Sequence, residues 1–138
     1  MAIPVDQPTD SHTPALRQWW SAVTALLVAA IFIQAVFAGA MLSGVSWAGK
    51  AHALNAFILI AATVAAGLVS VVTLRRIAHG PKLGLSLLLL AGLVFLQTAV
   101  GKLSAHGANL MWAHVPLGVA SFGIAALAAA GARRLRGE

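Results

Sequence analysis

Two histidines that stand in otherwise apolar stretches are the residues of this 138-residue chain best suited to chemistry. His52 and His114 are 62 positions apart, and a long run of Ala, Leu, Val and Ile follows each. A neutral imidazole offers one ring nitrogen to a metal ion. A single histidine at the end of an apolar helix is more often only an interfacial polar group, but ionisable side chains inside such helices indicate function. The pair therefore predicts a ligand set.

Each histidine belongs to a pattern that occurs twice in the chain. A Phe-x-Gln sequence and a glycine recur at an offset of 63, and the histidine recurs at 62, so the second half has one residue fewer in its loop. Matches of Leu and Ala carry no information here, whereas Gln and His are rare in apolar helices. The recurrence predicts an internal two-helix repeat. The matched pairs are Gln34 with Gln97, Gly44 with Gly107, and His52 with His114.

The elements that carry these residues must be membrane helices. Hydrophobic residues make up 60% of the chain, charged residues 9%, and the mean hydropathy is +0.91. A soluble domain is about 45–50% apolar and about 25% charged. In lipid the backbone polar groups have to pair within the chain, which favours helices. The absence of cysteine excludes disulfides, thiolate metal sites and thiol catalysis. No phosphate-binding loop, dinucleotide fingerprint, HExxH or GxSxG motif is present.

Four stretches without a charged side chain, of 32, 24, 19 and 30 residues, separate the basic residues. A spanning helix needs about 20 residues, so each stretch holds one span. Ala38-Gly39-Ala40 resembles a signal-peptide cleavage site, but the preceding apolar run is longer than a signal core, so we expect the first helix to be retained. The predicted fold is an all-α integral membrane four-helix bundle with up-down-up-down topology. Its parts are a polar tail (1–18), spans at about 19–42, 51–75, 83–102 and 110–132, and a basic tail (133–138).

The basic residues orient the bundle. Seven of the nine lie in the tails and the second connection, and only Lys50 and Lys102 lie in the other two. Under the positive-inside rule both termini are cytoplasmic. This distribution predicts a multi-pass protein of a bacterial inner membrane, and no nucleic-acid partner. The seven are Arg17, Arg75, Arg76, Lys82, Arg133, Arg134 and Arg136.

This topology sets His52 and His114 at similar depth in the outer leaflet, on helices that face each other across the bundle. Two opposed imidazoles suit a haem with two axial histidines. Pro116 either lies in the first turn of the fourth helix or kinks a helix that begins near Ala108. The other histidines are expected in solvent, and the tryptophans in interfacial belts. These residues are His12, His79, His106, Trp19, Trp20, Trp47 and Trp112.

Further candidate site residues flank the pair. The glutamines contact either the cofactor edge or a histidine nitrogen, or else bond one another or the backbone. The asparagine lies one turn beyond His52, and the glycine lies one turn beyond His114, where it leaves room for a planar ligand. The lysines either mark the membrane boundary or pair with haem propionates. The residues concerned are Gln34, Gln97, Asn55, Gly118, Lys50 and Lys102.

Over about residues 20–132, the chain resembles one four-helix half of the heme A synthase family, or a small single-unit membrane protein of that type. The resemblance rests on the two histidines, their spacing, and the glutamine-containing ends of helices one and three. It implies histidine ligands for haem on the second and fourth helices. The family's catalytic half has a glutamate one turn before the first of these histidines, where this chain has Gly49. The family's outer cysteine pair is absent as well.

Three classes of function remain open from the sequence. The favoured one is a haem b protein that transfers electrons to a redox partner or holds haem. The alternative is a cofactor-free structural subunit of a larger respiratory or photosynthetic membrane complex. An enzyme is least favoured, because no span contains Asp or Glu for acid–base catalysis.

The charge asymmetry generates a test of topology. Cysteines introduced singly at Ser46 and Ala108 should react with an impermeant thiol reagent added to intact cells, and one at Gly80 should react only after lysis. Labelling of the Gly80 position from outside, with Ser46 and Ala108 protected, would invert the orientation.

Overall fold

The computed structural model describes residues 12–135, which form four long α-helices: α1 (His12–Leu42), α2 (Ala48–Thr73), α3 (Gly80–Ala105) and α4 (Met111–Ala132). All four are long and apolar enough to cross a membrane, with the span of α1 counted from Pro14. The prediction of an all-helical chain with four helices that are long and apolar enough to span a membrane is thereby confirmed.

The helix ends differ little from the predicted spans, except at the start of α1. This helix begins at His12, inside the predicted polar tail, and Pro14 falls in its first turn, where proline is tolerated. The rest of that tail (1–11) and residues 136–138 lie outside the described residues. Pro116 lies inside α4, in its second turn, which contradicts the first-turn alternative. The other alternative holds for the proline's place inside the helix, but the helix begins at Met111 rather than near Ala108.

Three short connections join the helices. The first (43–47) and third (106–110) each contain a glycine in the left-handed region, Gly44 at φ +82° and Gly107 at φ +98°. In the second (74–79), His79 has φ +65°, which few residues other than glycine adopt. A Cβ added at Gly80 would collide with the carbonyl oxygen of Leu74. The half-buried Ala78 is therefore the better position for the inside-facing cysteine of the labelling test.

The helices pack in a ring. Close backbone contacts join α1 to α2, α2 to α3, α3 to α4 and α4 to α1, and within residues 12–135 none joins α2 to α4. Small residues bring α2 and α3 together: a Cβ at Gly67 would lie 2.7 Å from Leu88 Cδ2, and one at Gly84 would lie 3.2 Å from Val71 Cγ2. Close approach of this kind is how membrane helices gain packing energy.

The core is unevenly distributed along the bundle. One end is closely packed around Trp20, Leu74, Leu83 and Leu135, and a second cluster around Leu90 continues this core to the middle. Towards the other end the last buried residues are Ile31 in α1, Val94 in α3 and Ser121 in α4, and in α2 only Ala48 is buried before Ala56. The four helices therefore form a packed end and an open end.

The position of Trp20 contradicts the interfacial-belt prediction for this residue. Its side chain is only 2% exposed, because it lies on the same face of α1 as Thr24, Leu27 and Ile31. Trp19, its neighbour, is 63% exposed. Large apolar side chains such as Leu26 and Leu127 are likewise on the outside of the bundle, as expected for surfaces that face lipid.

Candidate functional site

The structure brings His52 and His114 together at the open end. Their ring centroids are 6.3 Å apart, and the ring planes make an angle of 61°. His52 is in the second turn of α2 and His114 in the first turn of α4, and both are half-buried. Since α2 and α4 have no close backbone contact along the described chain, these side chains span the gap between them.

A matching hydrogen bond orients each imidazole. His52 Nδ1 lies 3.2 Å from the carbonyl oxygen of Gln34, and His114 Nδ1 lies 3.1 Å from that of Gln97. A carbonyl oxygen only accepts, so in both rings Nδ1 is the protonated donor and Nε2 holds the lone pair. Metal-binding histidines are typically held this way, with the second nitrogen donating to a carbonyl or carboxylate.

The side chain of Gln34 also faces His52. Its Nε2 donates to the His52 carbonyl oxygen at 3.0 Å and lies 3.3 Å from His52 Nε2. This second contact agrees with an unprotonated His52 Nε2, which accepts from the amide. The sequence left open whether Gln34 meets a histidine nitrogen or the backbone, and it meets both. Before His52 Nε2 can bind a metal, this amide has to move.

The side chain of Asn55 forms a hydrogen bond with Gln34. Its Nδ2 donates to Gln34 Oε1 at 2.7 Å and to the carbonyl oxygen of Ala30 at 3.1 Å. The asparagine thus fixes which way the Gln34 amide points, with its oxygen towards Asn55 and its nitrogen towards His52. Asn55 is therefore a positioning residue.

The second half of the site is arranged differently. Gln97 Oε1 accepts from Ser121 Oγ at 3.3 Å, and a Cβ at Gly118 would lie 2.9 Å from Gln97 Nε2. The sequence predicts room for a planar ligand beside Gly118, and in the structure the Gln97 amide lies there. The absence of a side chain at Gly118 thus leaves room for the Gln97 amide.

Two residues at the site were missed from the sequence. A Cβ at Gly101 would lie 2.9 Å from His114 Cε1, so this glycine is what allows the ring to pack against α3. Its signal was its spacing, four residues after Gln97 and hence on the same helix face. The other is Ser121, a polar residue in an apolar helix whose hydroxyl contacts Gln97.

The lysines lie at the surface of this end. Lys50 and Lys102 are both exposed, and Lys102 Nζ lies 4.9 Å from the centroid of the Phe57 ring. His79 and His106 are exposed, as expected, and His106 Nδ1 donates to the carbonyl oxygen of Lys102 at 2.7 Å at the end of α3. The side chain of His12 lies outside the described part of the chain.

The donor set fits haem iron. With metal–imidazole bonds of about 2.0–2.1 Å, two rings that share one metal would have centroids about 6 Å apart, and the observed centroid separation is 6.3 Å. Among residues 12–135, no group of three or more His, Cys, Asp or Glu could hold a metal ion. Two histidines are nevertheless sufficient for haem, whose porphyrin supplies the other four ligands.

Comparison of the chain with protein-family models, with curated proteins and with solved structures finds no match in any of the three.

The hydrogen bonds predict the tautomer of both rings. In protein without added haem at mildly alkaline pH, His52 and His114 should each have a protonated Nδ1 and an unprotonated Nε2. Nitrogen NMR of histidine-labelled protein measures this directly, with His52→Ala and His114→Ala used to assign the signals. A proton on Nε2 in either ring would contradict the arrangement.

Proposed function

We propose that the protein is an integral membrane haem b-binding protein with His52 and His114 as the two axial ligands. The observation that carries this proposal is the matched pair of Nδ1-to-carbonyl hydrogen bonds on rings 6.3 Å apart. Such bonds leave both Nε2 atoms unprotonated, as metal binding requires, and at His52 the Gln34 amide would have to move aside first. A large planar group would have to lie between the helices at the open end, where few side chains are buried.

The proposal includes an internal repeat and up-and-down topology. In both halves the same histidine nitrogen meets the carbonyl oxygen of the glutamine on the preceding helix, 18 residues earlier in the first half and 17 in the second. Gly44 and Gly107 both have positive φ at the offset of 63 found in the sequence. These correspondences support two helix pairs that evolved or fold as equivalent units.

We propose that the role of the site is electron transfer or haem retention rather than catalysis. Bound haem would supply a one-electron iron couple. His52 and His114 together would occupy both axial positions, which leaves none for oxygen. The three carboxylates of the chain are Asp6, Asp10 and Glu138, all in the terminal segments, so the spans contain no carboxyl group to move protons.

The site would face the outer leaflet of a bacterial inner membrane, with both termini in the cytoplasm. The charge distribution supports this orientation, because seven of nine basic residues lie near the beginnings of α1 and α3, in the second connection, or after α4. Lys50 and Lys102 would then be the cations at the outer rim, where they can pair with haem propionates.

A cofactor-free structural subunit is the second candidate. It is favoured by the Gln34 amide, which already satisfies His52 Nε2, and by the lipid-facing apolar surface, which a larger membrane complex could cover. Visible absorption of the purified protein separates the two candidates.

Protein from haem-replete cells should show the Soret band of a six-coordinate, low-spin haem b. Replacing either axial histidine should abolish or strongly alter this band, because only one ligand remains. His79→Ala is the matched control, since His79 is an exposed histidine in the second connection. Dithionite should reduce the haem reversibly, with little shift on adding carbon monoxide.

Colourless, monodisperse protein would reject the haem assignment and favour the structural subunit. A large, rapid carbon-monoxide shift, or a modified haem in extracts of expressing cells, would instead reject electron transfer in favour of an enzyme. Circular dichroism of each variant separates loss of haem from loss of fold.

A glycine pair on α3 tests whether His114 has to lie where the structure places it. Gly101→Ala adds a Cβ 2.9 Å from His114 Cε1, whereas a Cβ at Gly92 meets nothing within 4 Å. Gly101→Ala should therefore lower haem occupancy or shift the spectrum, and Gly92→Ala should leave both unchanged. Equal spectra for the two variants, at equal helix content, would contradict the role of Gly101.

A further inference from the structure

The second connection forms an open hollow that the haem proposal does not use. It has a volume of about 560 Å³, and its lining includes Arg75, Arg76, His79 and Lys82. We call it the α2–α3 hollow. It is built by the ends of α2 and α3, which lie at the packed end of the bundle, away from the histidine pair.

The backbone around the α2–α3 hollow is closely fixed. Leu74 and Leu83 on either side of it are 0% and 3% exposed, so both ends of the connection are fixed in the core. Two hydrogen bonds, from Ile77 N to Leu74 O (3.1 Å) and from Gly80 N to Ile77 O (2.8 Å), close successive turns. Orientation in the membrane needs only the number of basic residues in a connection. Orientation alone does not require a turn of fixed backbone that groups the basic residues around a hollow.

The charge of the α2–α3 hollow has no carboxylate opposite it in the described structure. Arg75, Arg76 and Lys82 are all exposed, and residues 12–135 contain no Asp or Glu. The α3 helix begins at the same place and turns the positive end of its dipole towards the hollow. Three cations and a histidine within eight positions thus surround a space open to the outside.

We propose that the α2–α3 hollow binds a phosphate group, from either a phospholipid headgroup or free phosphate. Guanidinium groups match phosphate oxygens in a bidentate way, and a lysine adds a point charge. The apolar parts of α2 and α3 end beside the hollow, so a bilayer around these helices would have its headgroups near the hollow. Basic groups at that level on the cytoplasmic side attract anionic lipid.

The test compares two double variants of equal charge. Arg75→Gln/Arg76→Gln removes two cations that line the α2–α3 hollow, and Arg133→Gln/Arg134→Gln removes two exposed cations just after α4 that do not line it. Binding of phosphatidylglycerol and of phosphatidylcholine to protein in neutral detergent is measured by native mass spectrometry, and binding of inorganic phosphate by calorimetry.

The wild type should bind phosphatidylglycerol more tightly than phosphatidylcholine. The first double variant should weaken this binding roughly tenfold or more, since a hydrogen bond to a charged group contributes more binding free energy than one between neutral groups. The control variant should change it less than about threefold, as expected for screened surface charge. Binding of inorganic phosphate with the same variant pattern would identify free phosphate as the source, and binding of lipid alone would identify the headgroup.

Equal weakening by both double variants would show only diffuse attraction to a basic surface and would overturn the proposal. Failure of the wild type to bind either probe would overturn it as well. Circular dichroism and size-exclusion profiles show whether the variants remain folded. The result is independent of haem, because neither arginine pair contacts the histidine site.

Discussion

The site depends on the hydrogen bond from an imidazole N–H to a backbone carbonyl of the preceding helix. This bond decides which ring nitrogen keeps a lone pair, and it does so twice, at His52 and at His114. Hydrogen bonds between membrane helices contribute only about 0.6 kcal/mol on average. Their combined effect on stability is therefore small beside helix packing. What they contribute is a defined orientation for two rings on helices whose backbones do not meet.

The two halves share this bond and differ around it. An amide, itself held by Asn55, opposes Nε2 of His52, whereas a glycine receives the ring of His114. The residue that corresponds to Gly101 in the first half is Ala38, which carries a side chain. The histidines are thus equivalent in their orienting bond but not in what surrounds their rings. In our proposal, His52 Nε2 would have to lose its contact with the Gln34 amide before it binds iron.

The sequence was informative where charge and rare polar residues carry the signal. The uncharged stretches predicted four spans to within a few residues at most ends, and the spacing of His52 and His114 indicated that they belong together. It was uninformative about which helix face is inside. In lipid, apolar side chains suit the protein interior and the exterior equally well, so the hydrophobic pattern does not separate Trp20 from Trp19. The sequence also did not indicate that the Gln97 amide lies beside Gly118, because a missing side chain does not reveal which neighbour is next to it.

The division into a packed and an open end has a consequence for how the bundle exchanges with its surroundings. Helix segments with few buried contacts open at low free-energy cost, whereas a well-packed core opens only with global unfolding. We therefore expect the C-terminal ends of α1 and α3 and the N-terminal ends of α2 and α4 to separate at lower cost than the core around Leu74 and Leu87. A molecule that binds between them stabilises the closed arrangement by mass action. Binding there would then raise the protection of backbone amides from exchange at the open end alone. Occupancy could therefore be measured as a change in amide exchange that differs between the two ends of the bundle.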